Sequence, residues 1–96
     1  MPSSDACFRA LVRGIVQGVG FRFFVFQNGV NLNLRGWVRN RINGRVEVLA
    51  QGPRDVLDTF IEKLKEGPQL AQVEQVDVEW LDLRGDLPHF TIRETE

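Results

Sequence analysis

Cysteine is nearly missing: Cys7 is the only one in 96 residues. No intramolecular disulfide can form, and a metal site built from several thiolates is excluded. Histidine is as scarce, with His89 alone, and it reads as structural. No apolar run approaches the roughly 20 residues of a membrane span. The start, Met1-Pro2-Ser3-Ser4-Asp5-Ala6, has neither the basic nor the apolar stretch of a secretory signal. A cytoplasmic protein with no membrane partner is therefore expected. No repeat, low-complexity tract or linker divides the chain, so residues 1–96 should form one domain. A hydrophobic content of 43% supports a modest core.

The net charge of −1 conceals an imbalance. Residues 1–50 hold Arg9, Arg13, Arg22, Arg35, Arg39, Arg41 and Arg45 against Asp5 and Glu47, a formal +5. Residues 51–96 hold five basic and eleven acidic side chains, a formal −6. An arginine-rich half favours a small anionic ligand. Two oppositely charged faces that aid solubility are the plainer alternative.

Within that half lies Gly14-Ile15-Val16-Gln17-Gly18-Val19-Gly20-Phe21-Arg22. Its three glycines allow tight bending and close approach to a ligand. A strand pattern precedes it and a helix is expected after it. Such a junction turns several backbone N–H groups toward one point at the positive end of a helix. Arg22 adds a fixed cation whose planar fork suits phosphate. The Walker pattern is absent, because no Gly-Lys-Ser/Thr follows. The glycines, four and two positions apart, also fail the dinucleotide-binding spacing. A tight turn that merely redirects the chain remains the simpler reading of the glycines alone.

Phe8, Ala10 and Val12 alternate with Cys7, Arg9, Leu11 and Arg13, which predicts a half-buried first strand. The segment after Arg22 is expected to be helical to about Leu34. Phe21, Phe24, Val25 and Leu32 could share its inner face, and Asn33 could supply a left-handed cap. Asn28, Gly29, Val30, Asn31 and Asn33 make it a poor helix by propensity. A strand over Gly36–Arg41, the Asn43-Gly44 turn and a strand through Val46, Val48 and Ala50 form a hairpin. Val56, Leu57, Phe60, Ile61 and Leu64 recur at helical spacing, and Gly67-Pro68 ends that helix. Val76, Val78 and Trp80 mark a fourth strand, and Phe90 and Ile92 a short last one. The order β-α-β-β-α-β plus a terminal strand predicts an α+β, ferredoxin-like sandwich: an antiparallel sheet with two helices on one face.

Val16-Gln17-Gly18-Val19-Gly20-Phe21-Arg22 resembles the first signature of the acylphosphatase family. Gly36-Trp37-Val38-Arg39-Asn40, followed by Gly44, Val46 and Gly52, resembles the second at its expected spacing. The resemblance extends over essentially the whole chain. It implies an enzyme that hydrolyses small acyl phosphates to a carboxylate and inorganic phosphate, without a cofactor or metal. By the resemblance, Arg22 and Asn40 are the catalytic pair. The phosphate cradle is the backbone of Gln17, Gly18, Val19, Gly20, Phe21 and Arg22. The chain departs from the family at its first helix, usually rich in alanine and leucine, where Asn28, Gly29 and Val30 stand here. Asn33 occupies the place of the glycine that usually ends that helix.

The chemistry is consistent with these residues. A carboxylate is a good leaving group, so the reaction needs mainly alignment and charge stabilisation. Asn40 has no useful pKa and cannot act as a base, but its amide can hold a water in line. The signatures offer no Asp, Glu, His or Cys to deprotonate that water. The resemblance suggests that a substrate phosphate oxygen takes the proton. Arg39 and Arg41 read as solvated strand residues, and Trp37 and Trp80 as packing residues. Inorganic phosphate should be both product and inhibitor, and a monomer is expected. A non-catalytic anion-binding module of the same fold is the alternative. RNA-binding domains share the strand order, but Arg45–Ala50 lacks their basic and aromatic motif, and a pI of about 5.8 argues against nucleic acid. Acetyl phosphate, carbamoyl phosphate and 1,3-bisphosphoglycerate all fit as substrates.

Overall fold

The computed structural model describes residues 4–96. Residues 1–3, half of the segment read for a signal, lie outside the described residues. The elements are β1 (Asp5–Ile15), α1 (Phe21–Asn31), β2 (Arg35–Asn40), β3 (Val46–Pro53), α2 (Arg54–Glu66), β4 (Gln72–Leu81) and β5 (Thr91–Ile92). They form one five-stranded sheet in the order β4-β1-β3-β2-β5. β1 runs antiparallel to both β3 and β4, and β2 antiparallel to β3. The short β5 runs parallel to β2 at the sheet edge. The expected ferredoxin-like α+β arrangement is the one observed.

The alternation of β1 decides where the helices sit. Phe8, Ala10 and Val12 are buried against Val38, Val46, Val48 and Ala50 of the neighbouring strands. The same cluster takes Phe21 and Val25 from α1 and Leu57, Phe60, Ile61 and Leu64 from α2. Both helices thus cover one face. Burying a side chain the size of Phe8 or Phe60 contributes about 2–3 kcal/mol.

Three details differ from the sequence expectation. First, Gly14 belongs to β1 rather than to the loop. It sits at a shift in register between Arg13 and Gly14, and a Cβ there would lie 2.0 Å from the Gln72 carbonyl oxygen. Second, α1 stops at Asn31, short of Leu34. Asn33 turns left-handed with φ 61°. The Asn33 and Leu34 N–H groups then bond to the Val30 and Gly29 carbonyls at 3.0 and 2.9 Å, a pairing that closes helix ends. Leu34 is released into the core. Third, β3 is buried on both faces. Leu49 packs with Cys7 and Leu87 on the side away from the helices, because residues after β4 fold back over it.

The weak propensity of α1 also finds its reason. Gly29 falls on the buried stripe with Phe21 and Val25. A Cβ on Gly29 would come within 2.5 Å of the Phe90 ring. Glycine costs about 1 kcal/mol in a helix, and here it lets that ring lie directly on the backbone. Phe90 in turn meets Phe60 edge-on, with centroids 5.6 Å apart.

Candidate active site

The turn between β1 and α1 is built by Gly18 and Gly20, with φ of 74° and 80°. Gly20 is the N-cap of α1, no side chain bonds to the helix start, and no acidic residue lies in its first turn. The first helical N–H to find a carbonyl is that of Phe24, which donates to Gly20 at 3.0 Å. The preceding N–H groups are the ones every helix leaves unpaired, and they carry the positive end of its dipole.

This turn borders a hollow of about 270 Å³. Gly18, Gly20, Phe21 and Arg22 line it from the α1 side, and Asn40 from the end of β2. The two residues singled out as a catalytic pair therefore face one space, although they come from different signatures. Arg22 has no carboxylate partner among the described residues. Asn40 is buried, and its Oδ1 has no hydrogen-bond partner. No described protein group bonds to it, so this carboxamide is not used to hold the fold together.

Gln17 and Val19, expected in the cradle through their backbone, send their side chains elsewhere. Val19 packs its side chain against the core. Gln17 donates through Nε2 to the carbonyls of Arg41 and Arg45, at 2.8 and 2.9 Å. Its side chain is a latch between the glycine turn and the β2–β3 hairpin that carries Asn40. Phe21 turns its ring into the core, so it can offer the hollow only its backbone. Three lining residues were missed from sequence: Val16, Phe23 and Ile92. Val16 and Phe23 lie inside or beside the first signature, but only the pairing of β5 with β2 brings Ile92 there.

The arginine-rich half does not converge on the hollow. Arg39, expected to be solvated, is largely buried on the opposite sheet face, its side chain only 14% exposed. Its Nε donates to Glu47 Oε1 at 2.7 Å, and Arg9 Nε donates to Oε2 at 2.5 Å. Arg41 reaches Oε1 at 3.3 Å, and Arg39 also meets Glu96. Burial pushes the Glu47 carboxyl up, but hydrogen bonds and charge from Arg39 and Arg9 outweigh it and hold the group below the ordinary carboxylate value. The Arg39 and Arg93 guanidinium groups each lie over the Trp37 ring, 4.7 and 4.9 Å from its centroid. Among the described residues, no three His, Cys, Asp or Glu side chains are grouped to hold a metal. No described helix is long and apolar enough to cross a membrane.

The family model described as Acylphosphatase matches residues 8–92. An acylphosphatase from Koribacter versatilis is 48% identical over 95 residues, covering 99% of this chain and 86% of its own. The crystal structure of acylphosphatase from Bacillus subtilis superposes with a TM-score of 0.88 at 40% identity, covering 92% of this chain and 98% of that one. Full-length HypF, in a phosphate- and nucleotide-bound form, superposes with a TM-score of 0.86 at 30% identity over 99% of this chain but 12% of that one. With its two signatures meeting at one hollow and its fold matched nearly end to end, the chain belongs to the acylphosphatase family of enzymes.

Proposed function

We propose that the protein hydrolyses the carboxyl–phosphate bond of small acyl phosphates in the hollow between the glycine turn and Asn40. The phosphoryl group would rest on the backbone N–H groups from Gln17 to Arg22, at the uncapped start of α1. Arg22 grips two non-bridging oxygens and balances charge as the bond to the leaving carboxylate lengthens. The Asn40 carboxamide holds a water opposite that bond. Water attacks phosphorus, the carboxylate departs with the bonding pair, and a phosphate oxygen takes the water proton. Catalysis then consists of positioning and charge stabilisation, with no side-chain base. The match of the acylphosphatase model over residues 8–92 supports this reading.

The observation that carries this reading is the shared hollow. It brings an unpaired guanidinium and an unengaged carboxamide to one uncapped helix start. The test is release of inorganic phosphate from acetyl phosphate and benzoyl phosphate. Asn40→Ala should lower kcat by about two to three orders of magnitude, the scale of losing an aligned contact. The inhibition constant for inorganic phosphate should move much less. Normal turnover with weakened phosphate inhibition would assign Asn40 to the cradle instead. A second reading, a phosphate-binding module without catalysis, is favoured by the likeness to one part of the larger HypF chain. Phosphate binding without any acyl phosphate hydrolysis would select it.

A further inference from the structure

The phosphate end of the hollow is polar, but its mouth is not. Phe23, in the first turn of α1, is 51% exposed, and Ile92 of β5 is 42% exposed. Both line the same hollow as Arg22 and Asn40. They reach it from different elements, so the apolar rim is made by tertiary structure. The Phe23 ring is braced by Phe26, edge-on at 6.2 Å. A large apolar side chain held half in water beside an anion site gains by covering itself with an apolar ligand group.

Charges of both signs lie beyond this rim. The next hollow shares Ile92 and is lined by Arg93, Glu94 and Glu96. The guanidinium of Arg93 lies over the Trp37 ring, and Glu96 pairs with Arg39. Glu94 has no cationic partner among the described residues. Arg93 likewise has no carboxylate partner among the described residues, so selection at this rim rests on its apolar side chains.

We infer that Phe23 and Ile92 form an acyl subsite, which selects acyl phosphates with an apolar acyl group, aromatic or branched, over small ones. The inference rests on the placement of phosphate given under the proposed function, but its test does not require turnover. Benzylphosphonate and methylphosphonate carry the same anion with and without an apolar group, and neither is hydrolysed. By calorimetry, benzylphosphonate should bind about tenfold more tightly to the wild type. Phe23→Ala should remove most of that advantage, and Ile92→Thr part of it. Phe23→Leu should keep most of it. Methylphosphonate affinity should move much less in every variant. Since both side chains are about half exposed, the variants should fold, which circular dichroism checks.

Kinetics supplies the second arm. The ratio of kcat/KM for benzoyl over acetyl phosphate should fall about fivefold or more in Phe23→Ala, mainly through KM. Intrinsic reactivity cancels when variant and wild type are compared. Equal binding of the two phosphonates, or an unchanged ratio in Phe23→Ala, would overturn the subsite. Selective binding of benzylphosphonate without hydrolysis of any acyl phosphate would uphold the subsite and remove the proposed reaction.

Discussion

Arg22 and Arg39 belong to the same arginine-rich half of the chain, yet they occupy opposite electrostatic settings. Among the described residues Arg22 has no carboxylate partner, and it stands beside an uncapped helix start. Arg39 lies on the other face of the sheet, fastened to Glu47 and Glu96 and stacked on Trp37. A free guanidinium in a hollow retains its full capacity to bind an anion. A guanidinium that shares a buried carboxylate with two others has been neutralised by the fold. The same residue type therefore serves ligand binding on one face and cohesion on the other. Local composition cannot distinguish them, because the partner of Arg39 lies across a strand pair in β3.

The sharpest way to break this comparison is to substitute both arginines. Arg22→Ala should lower kcat/KM for acetyl phosphate by about 10³, some 4 kcal/mol of transition-state stabilisation. Its melting temperature should change little. Arg22→Lys keeps the charge but loses the fork, and it should also fall strongly. Arg39→Lys should cost activity no more than a few-fold. Equal losses from the two lysine variants would erase the distinction.

Glu47 tests the cohesive face. Glu47→Gln removes the charge that three arginines share, and breaking such a buried pair costs about 3 kcal/mol. Melting should fall by about 15 °C, while turnover of the folded fraction stays within a few-fold. The pH dependence follows from the direction of the shift. Glu47 is held below its ordinary value of 4.5, so its contribution is fully present above that pH. It is lost as pH falls through the lower, folded-state value. Wild-type stability should therefore drop in acid below about pH 4.5, and Glu47→Gln should show a shallower drop. Parallel acid unfolding curves would place the acid-sensitive group elsewhere.

Inorganic phosphate separates the two faces with an intermediate effect. At about 100 times its dissociation constant it should stabilise the protein by roughly 2.7 kcal/mol. That corresponds to a melting shift on the order of 10 °C. The shift should vanish in Arg22→Ala and survive in Glu47→Gln and Asn40→Ala. Chloride at matched ionic strength controls for general screening. If chloride shifts the wild type as far as phosphate does, the anion site at Gln17 to Arg22 is refuted. The smallest expected effect is that of chelation. Activity should be unchanged by EDTA, and loss restored by Mg²⁺ or Zn²⁺ would bring a metal into the reaction.

The sequence by itself determined the order of elements, the Asn43-Gly44 turn, the inner face of β1 and the two signatures. Each of these is written in neighbouring residues: a period of two or of three to four, a turn pair, or a glycine that permits positive φ. Arg22 and Asn40 were legible for the same reason, as parts of short motifs. What only the tertiary structure decided involves partners distant along the chain. The Gln17 side chain bonds to carbonyls 24 and 28 positions away, so a residue read only for its backbone is also a latch. Gly29 looks like a defect in α1 until Phe90 is laid upon it. Glu47 and Leu49 are buried on the face of β3 that alternation assigns to solvent, because Arg9 and Arg39 close over Glu47 and Leu87 packs on Leu49. Ile92 joins the mouth of the hollow through its pairing beside β2. Periodicity reports which face of an element is apolar. It does not report what else the chain folds against that element, and that decides which charges are neutralised and which remain open to a ligand.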